Sequence, residues 1–65
     1  MIKVNDANGL CHYLKADTII RISKADSHTT MTRGIDCFVY CADGTTINSE
    51  DAAAYVAELI EGETK

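Results

Sequence analysis

The amino-acid sequence predicts an α+β domain, in which four to five antiparallel strands form a sheet and one C-terminal helix packs on one face. Two observations lead to this prediction. Short runs of alternating apolar and polar residues are separated by turns at Asn8-Gly9 and Asp43-Gly44. The last apolar residues recur instead at helical spacing. With 65 residues and no linker-like tract, we expect a single domain, residues 1–65.

The strand prediction follows the alternating runs and the β-branched residues. The segment 24–34 is left open between a long loop and an extension of the next strand over 29–32. Gly34 is expected at a bulge or bend. The strands are predicted at residues 2–5, 10–14, 18–23, 35–41 and 45–48.

The predicted C-terminal helix has both of its ends marked in the sequence. Asn48 or Ser49 is expected to cap it, with Glu50 and Asp51 in the first turn, where negative charge is favoured. Gly62 is expected to end it. Its apolar stripe consists of Ala52, Tyr55, Val56, Leu59 and Ile60.

The turn between the last two strands decides which side chains face the helix. A two-residue loop would place Tyr40 opposite Ile47, whereas a three-residue loop, 42–44, would place Val39 there. We favour the second loop because it collects an apolar face against the helix. That face carries Ile35, Cys37, Val39 and Ile47.

The opposite face of this hairpin then carries two adjacent aromatic side chains. It consists of Phe38, Tyr40, Thr46 and Asn48. An exposed aromatic patch is typical of an interface, so we expect self-association as a symmetric homodimer or homo-oligomer. The alternative is that a loop or the N-terminal hairpin covers the patch.

The cysteines favour a structural role over metal binding. Their odd number, three, excludes a complete intramolecular disulfide framework and fits a reducing compartment. On a regular strand Cys37 and Cys41 would lie about 13 Å apart, which is too far for a bridge or a shared metal ion. We therefore expect buried, free thiols, no metal and no cofactor.

The sequence predicts that the protein is not an enzyme. Asp26, Ser27 and His28 are consecutive, and three consecutive residues cannot align as a nucleophile, base and orienting acid. A hydrolase built on Ser27 and His28 is kept as an alternative. A second alternative is a small-ligand site, for a nucleotide, between protomers. Its side chains would be His28, Thr30 and Arg33.

The net charge of −4 belongs to the C-terminal segment, since charges balance before residue 49. We expect Asp51, Glu58 and Glu61 on an acidic outer helix face, either simply solvated or steering toward a basic partner. Without a basic stripe, a nucleic-acid partner is not expected. Without a signal peptide or apolar span, we expect a cytoplasmic protein with no membrane contact.

The order of short motifs resembles the small flagellar proteins FlbD and SwrD. It runs through residues 1–4, Asn8-Gly9, 17–22, Asp43-Gly44 and Ser49-Glu50 to an apolar helix, which covers nearly the whole chain. The resemblance implies a cytoplasmic accessory of flagellar motor function or swarming. The polar segment 26–33 and the cysteines depart from that family. Residues 17–22 and Asp43-Gly44 also resemble LytTR DNA-binding domains, against which the acidic helix argues.

From these features we expect a non-enzymatic protein-binding module, an accessory or inhibitor of a larger bacterial assembly. Its partner would be another protein. The small size and the acidic charge are also typical of phage-encoded inhibitors of a host defence complex.

Overall fold

In the computed structural model, which describes residues 1–64 and the side chains of residues 1–63, the chain folds into two antiparallel sheets and two helices. The α+β class is thus confirmed. The elements are β1 (Ile2–Asn5), β2 (Cys11–Leu14), a 3-10 turn (Ala16–Thr18), β3 (Ile19–Lys24), α1 (Ser27–Arg33), β4 (Cys37–Cys41), β5 (Thr46–Ser49) and α2 (Ala53–Thr64).

The strands form a two-stranded sheet, β1-β2, and a three-stranded sheet, β3-β4-β5, where a single sheet was predicted. One isolated bridge, Asp6–Ser49, joins them. Beside it the Glu50 N–H donates to the Asn5 carbonyl at 2.9 Å. The single-sheet prediction is wrong because the chain leaves β5 after Ser49 and turns toward α2, so β1 has no strand to pair with beyond that point.

The hairpin of β4 and β5 has the predicted three-residue loop. Val39 lies opposite Ile47, and the Cys41 N–H donates to the Thr45 carbonyl at 2.9 Å. Gly44 has a φ of 90°, a conformation that glycine adopts without steric cost. The prediction of the register, and with it of the two faces of the hairpin, is confirmed.

The hydrophobic core lies between the N-terminal hairpin and the inner face of the three-stranded sheet, with α2 alongside β1 and β3. Alternate residues of β1 and β4 point into it because side chains of a strand alternate between faces. The buried cluster consists of Ile2, Val4, Cys37, Val39, Cys41, Ile47 and Val56.

Asp6 fixes the turn of the N-terminal hairpin. One carboxylate oxygen accepts from the backbone N–H groups of Asn8 and Leu10 at 2.9 and 3.0 Å, and the other contacts the His12 ring Nε2 at 2.8 Å. These hydrogen bonds, with that of His12 the largest, hold the pKa of the Asp6 carboxyl below its usual value. A buried carboxylate is thus fully satisfied where the two sheets meet.

The segment 24–34 contains helix α1, neither the loop nor the strand extension that was predicted. The Asp26 carboxylate accepts from the Thr29 N–H at 2.7 Å and caps the start of the helix. Gly34, at a φ of 71°, ends it and donates its N–H to the Thr30 carbonyl. The prediction was wrong because threonine is a weak helix former, and the two capping residues outweigh that preference.

Helix α2 begins at Ala53, later than predicted, and continues through Gly62. Both expected caps lie in β5 instead: Asn48 is within the strand and Ser49 is its buried last residue. The Ser49 hydroxyl accepts from the Asp51 N–H at 3.0 Å and donates to the Asp51 carbonyl at 3.2 Å. A serine turn therefore occupies the place where the helix start was expected.

The residues of α2 that face the core differ in part from the predicted apolar stripe. Val56 is fully buried, and Ala53, Leu59 and Ile60 pack around the core. Two residues that were expected in the stripe do not belong to it: Tyr55 is 52% exposed, and Ala52 is exposed and precedes the helix. Within residues 1–64, neither helix combines the length and the apolar content that a bilayer span would require.

Candidate protein-binding face

The outer face of the three-stranded sheet carries the predicted interface residues. The register places Phe38 opposite Asn48 and Tyr40 opposite Thr46. Strand β3 adds two further positions, with Ser23 opposite Phe38 and Arg21 opposite Tyr40. We call this surface the aromatic face. Its six residues are Arg21, Ser23, Phe38, Tyr40, Thr46 and Asn48.

An arginine stacked on a tyrosine occupies one corner of the aromatic face. The Arg21 guanidinium carbon lies 4.6 Å from the centre of the Tyr40 ring, which is a cation–π distance. The Arg21 Nε also donates to the Ser23 hydroxyl at 3.2 Å. Two contacts thus hold the guanidinium over the Tyr40 ring. Within the described residues it has no carboxylate partner.

A bulge in β3 lies directly before Arg21, where the aromatic face ends. Ile19 pairs with Cys41 and Arg21 with Tyr40, so Ile20 is an extra residue on the bulged strand. Ile19 packs against the core cluster, while Ile20 is 69% exposed. From Arg21 to Lys24 the pairing with β4 is regular, so plain alternation places Arg21 on the outer face, while the bulge brings Ile19 back to the inner face.

None of the six side chains of the aromatic face is buried. Phe38 and Tyr40 are half-buried, as are Ser23 and Asn48, and the other two are exposed. The aromatic rings therefore occupy alternate positions of β4 on this face and are partly open to solvent. Tyrosine, phenylalanine and arginine are the residues that protein interfaces use most.

Sequence reasoning identified four members of this face and missed Arg21 and Ser23. The position of Ser23 opposite Phe38 follows from the pairing of β3 with β4. That pairing has no tight turn to fix its register, because α1 lies between the two strands. The polar residues of β3 at alternate positions were the available indication.

The predicted acidic helix residues do not form one surface. Glu58 and Glu61 are exposed on α2, as expected. Asp51 precedes the helix and is half-buried. Its carboxylate accepts from the Asn5 backbone N–H at 2.9 Å. Asp51 therefore ties β1 to the start of α2, in place of the expected outward position.

The residues of the proposed ligand loop lie on helix α1. His28 and Arg33 are exposed there. The Thr30 hydroxyl donates to the Ile35 carbonyl at 2.9 Å, so it serves the end of the helix. Ser27, the alternative nucleophile, is the first residue of α1, and its neighbour Asp26 is the helix cap.

The cysteines are free thiols, as expected, and two of the three are buried. Burial raises the pKa of the Cys37 and Cys41 thiols. Cys37 donates from its Sγ to the Asp51 carbonyl at 3.3 Å. Cys11 is exposed. Within the described residues, no three His, Cys, Asp or Glu side chains lie close enough to share a metal ion.

Comparisons with known proteins found no match to this chain. No family model matches it, and no curated protein or solved structure does so either. The resemblance to FlbD and SwrD therefore remains a prediction from short motifs.

Proposed function

We propose that this protein is a non-enzymatic protein-binding module whose docking surface is the aromatic face. In this proposal it acts in the cytoplasm as an accessory or inhibitor of a larger assembly, and it associates with itself through the same face. The observation that carries the proposal is the pair of half-buried aromatic rings, Phe38 and Tyr40, beside an arginine that has no carboxylate partner among the residues that the structure describes.

The shape of the aromatic face supports docking against another protein. Its positions come from three neighbouring strands paired in register, so backbone hydrogen bonds hold the surface rigidly. Rigid aromatic side chains bind with little loss of conformational entropy. Small molecules bind in concave sites, and neither of the two described cavities is lined by residues of the aromatic face, so this surface suits another protein better than a small molecule.

The charge of the face indicates what the partner should present. Arg21 is its one charged member, and the Tyr40 ring already orients the guanidinium. A carboxylate on the partner could accept two hydrogen bonds from it. We therefore expect an apolar partner surface with an acidic residue at its border.

The proposal is tested by replacing both rings with serine, Phe38→Ser plus Tyr40→Ser. Sedimentation equilibrium measures self-association, and affinity capture from a bacterial lysate with mass spectrometry measures partner binding. We expect the double variant to lose both while its circular dichroism spectrum stays that of the folded protein.

The matched control is Met31→Ser, which removes an apolar side chain that is 85% exposed on α1, outside the aromatic face. It should leave self-association and capture unchanged. If the double variant associates and captures proteins as the unmodified chain does, the aromatic face is not the docking surface and the proposal fails.

A further inference from the structure

A cleft of about 490 Å³ opens between β2 and the β4–β5 turn, away from the aromatic face. Its volume lies within the range of about 300–1,000 Å³ that is usual for binding sites. Leu14, Cys41 and Ile47 line its apolar part, and Tyr13, Lys15 and Thr45 also border it.

The free edge of β2 borders this cleft. Residues 12–15 all line it. Consecutive side chains of a strand point to opposite faces, so a cleft on one face alone would be lined by every second residue. Because this cleft is lined by consecutive residues, it runs along the edge of the strand. Within the described residues β2 pairs with β1 alone, so its other edge has no neighbouring strand.

The register shows which backbone groups this edge offers. The Asp6 N–H donates to the Leu10 carbonyl at 2.8 Å. Hydrogen-bonded pairs alternate along an antiparallel ladder, so His12 and Leu14 also bond to β1. The N–H and carbonyl groups of Cys11 and Tyr13 therefore point away from β1. Within residues 1–64 no backbone partner meets them.

We propose that this edge binds an extended peptide segment of a partner protein, which adds a strand beside β2. Its backbone would pair with the outward groups of Cys11 and Tyr13, a recognition mode that uses exposed strand edges. Its residues beside His12 and Leu14 would point into the apolar cleft. An alternating apolar segment satisfies both requirements.

Charge complementarity selects an acidic residue between the apolar ones. Lys3 and Tyr13 are cross-strand neighbours on the outer side of the hairpin, and Lys15 follows on the same side. Neither lysine has a carboxylate partner within the described residues. Asp43, which also lines the cleft, accepts from the Thr45 N–H at 2.9 Å. A second copy would bring the same lysines to this edge, so a different protein is the better partner.

The test uses a blocked seven-residue peptide in which valine alternates with glutamate and threonine. Binding is followed by the amide shifts of the ¹⁵N-labelled full chain, which also report that it is folded. We expect saturable shifts at Cys11, Tyr13 and Lys15. The peptide amides are then N-methylated one at a time. Alternate amides of the bound peptide point toward β2, and methylation of any of these should weaken binding by about tenfold. Methylation of the amides between them, which point away from β2, should have little effect.

Lys15→Glu tests the charge, with Lys24→Glu as the matched control on β3. The first variant should weaken binding of the acidic peptide by about three- to fivefold. It should favour a peptide with lysine in place of glutamate, whereas the control should do neither.

Three outcomes would overturn the proposal. One is the absence of saturable binding at millimolar peptide. Another is an equal loss of binding when amides of either alternate set are N-methylated. The third is a different occupant of the edge or the cleft. A second copy would be shown by self-association that protects the Tyr13 amide from exchange. A small apolar molecule such as hexanoate would be shown if it changes the amide shifts of the cleft residues when the peptide does not. The aromatic-face double variant should bind the peptide unchanged, so this result is independent of the proposed function.

Discussion

The two faces of the three-stranded sheet share one backbone and differ in almost every other property. On the inner face, Val39 and Cys37 are fully buried and Ile47 nearly so. On the outer face, Phe38 and Tyr40 occupy the alternate positions of the same strand and are only half-buried. The larger side chains thus lie on the more solvent-exposed face.

This distribution reverses what burial alone would favour. Burying large aromatic side chains releases the most apolar surface from water, yet this chain builds its core from valine, isoleucine and cysteine. Small residues allow the N-terminal hairpin to pack closely on the inner face. The aromatic residues are left for the outer face, where a partner could bury them.

Adjacent residues of β5 give the sharpest contrast between the two faces. Ile47→Ala should destabilise the protein by about 2–5 kcal/mol, because it leaves a cavity beside Val39 in the core. Thr46→Ala, on the outer face, should change stability by at most about 0.5 kcal/mol. Urea unfolding of both variants measures the difference. Equal losses would contradict the assignment of the faces.

Turn chemistry explains why this assignment was possible from the sequence. Asp43-Gly44 left a two-residue and a three-residue loop possible, and the apolar face that includes Val39 and Ile47 decided for the three-residue loop. Once the pairing is known, strand alternation assigns every side chain of the hairpin to a face. Local residues were sufficient here because the contacts are local.

The parts that could not be predicted depend on contacts distant in sequence. The pairing of β1 with β5 stops after the Asp6–Ser49 bridge because Asp51 turns the chain and binds Asn5, 46 residues away. The bulge at Ile20 likewise arises in pairing across α1. No motif marks either feature. The capping residues of α1 were visible, but their meaning was masked by the threonines between them.

Thiol reactivity gives a second way to separate the faces. Cys37 and Cys41 lie on the inner face with pKa values raised above the ordinary 9.0, chiefly by burial. Since the thiolate is the reactive form, both should react with a disulfide reagent at pH 8 at least about tenfold more slowly than exposed Cys11. Phe38→Cys in a Cys11→Ser background should react rapidly. Equal rates for all cysteines would mean that the inner face is open.

The raised pKa values of the two buried thiols also predict that the protein loses stability at alkaline pH. An acid whose pKa is higher in the folded state holds its proton more tightly there, so its contribution to stability is complete below pH 9.0. That contribution is lost as the pH rises through the folded-state pKa. The melting temperature of a Cys37→Ala variant should therefore fall less between pH 9 and 11 than that of the unmodified chain.

The smallest expected effect concerns the stacking of Arg21 on Tyr40. Arg21→Gln should cost about 0.5–1 kcal/mol in the free energy of unfolding, the range for an exposed cation–π contact. Lys24→Gln, at an exposed position of the same strand, is the control and should cost less. A double-mutant cycle with Tyr40→Leu isolates the contact itself. A coupling energy near zero would mean that the stack does not hold the guanidinium in place, and the partner carboxylate inferred for the aromatic face would lose its physical basis.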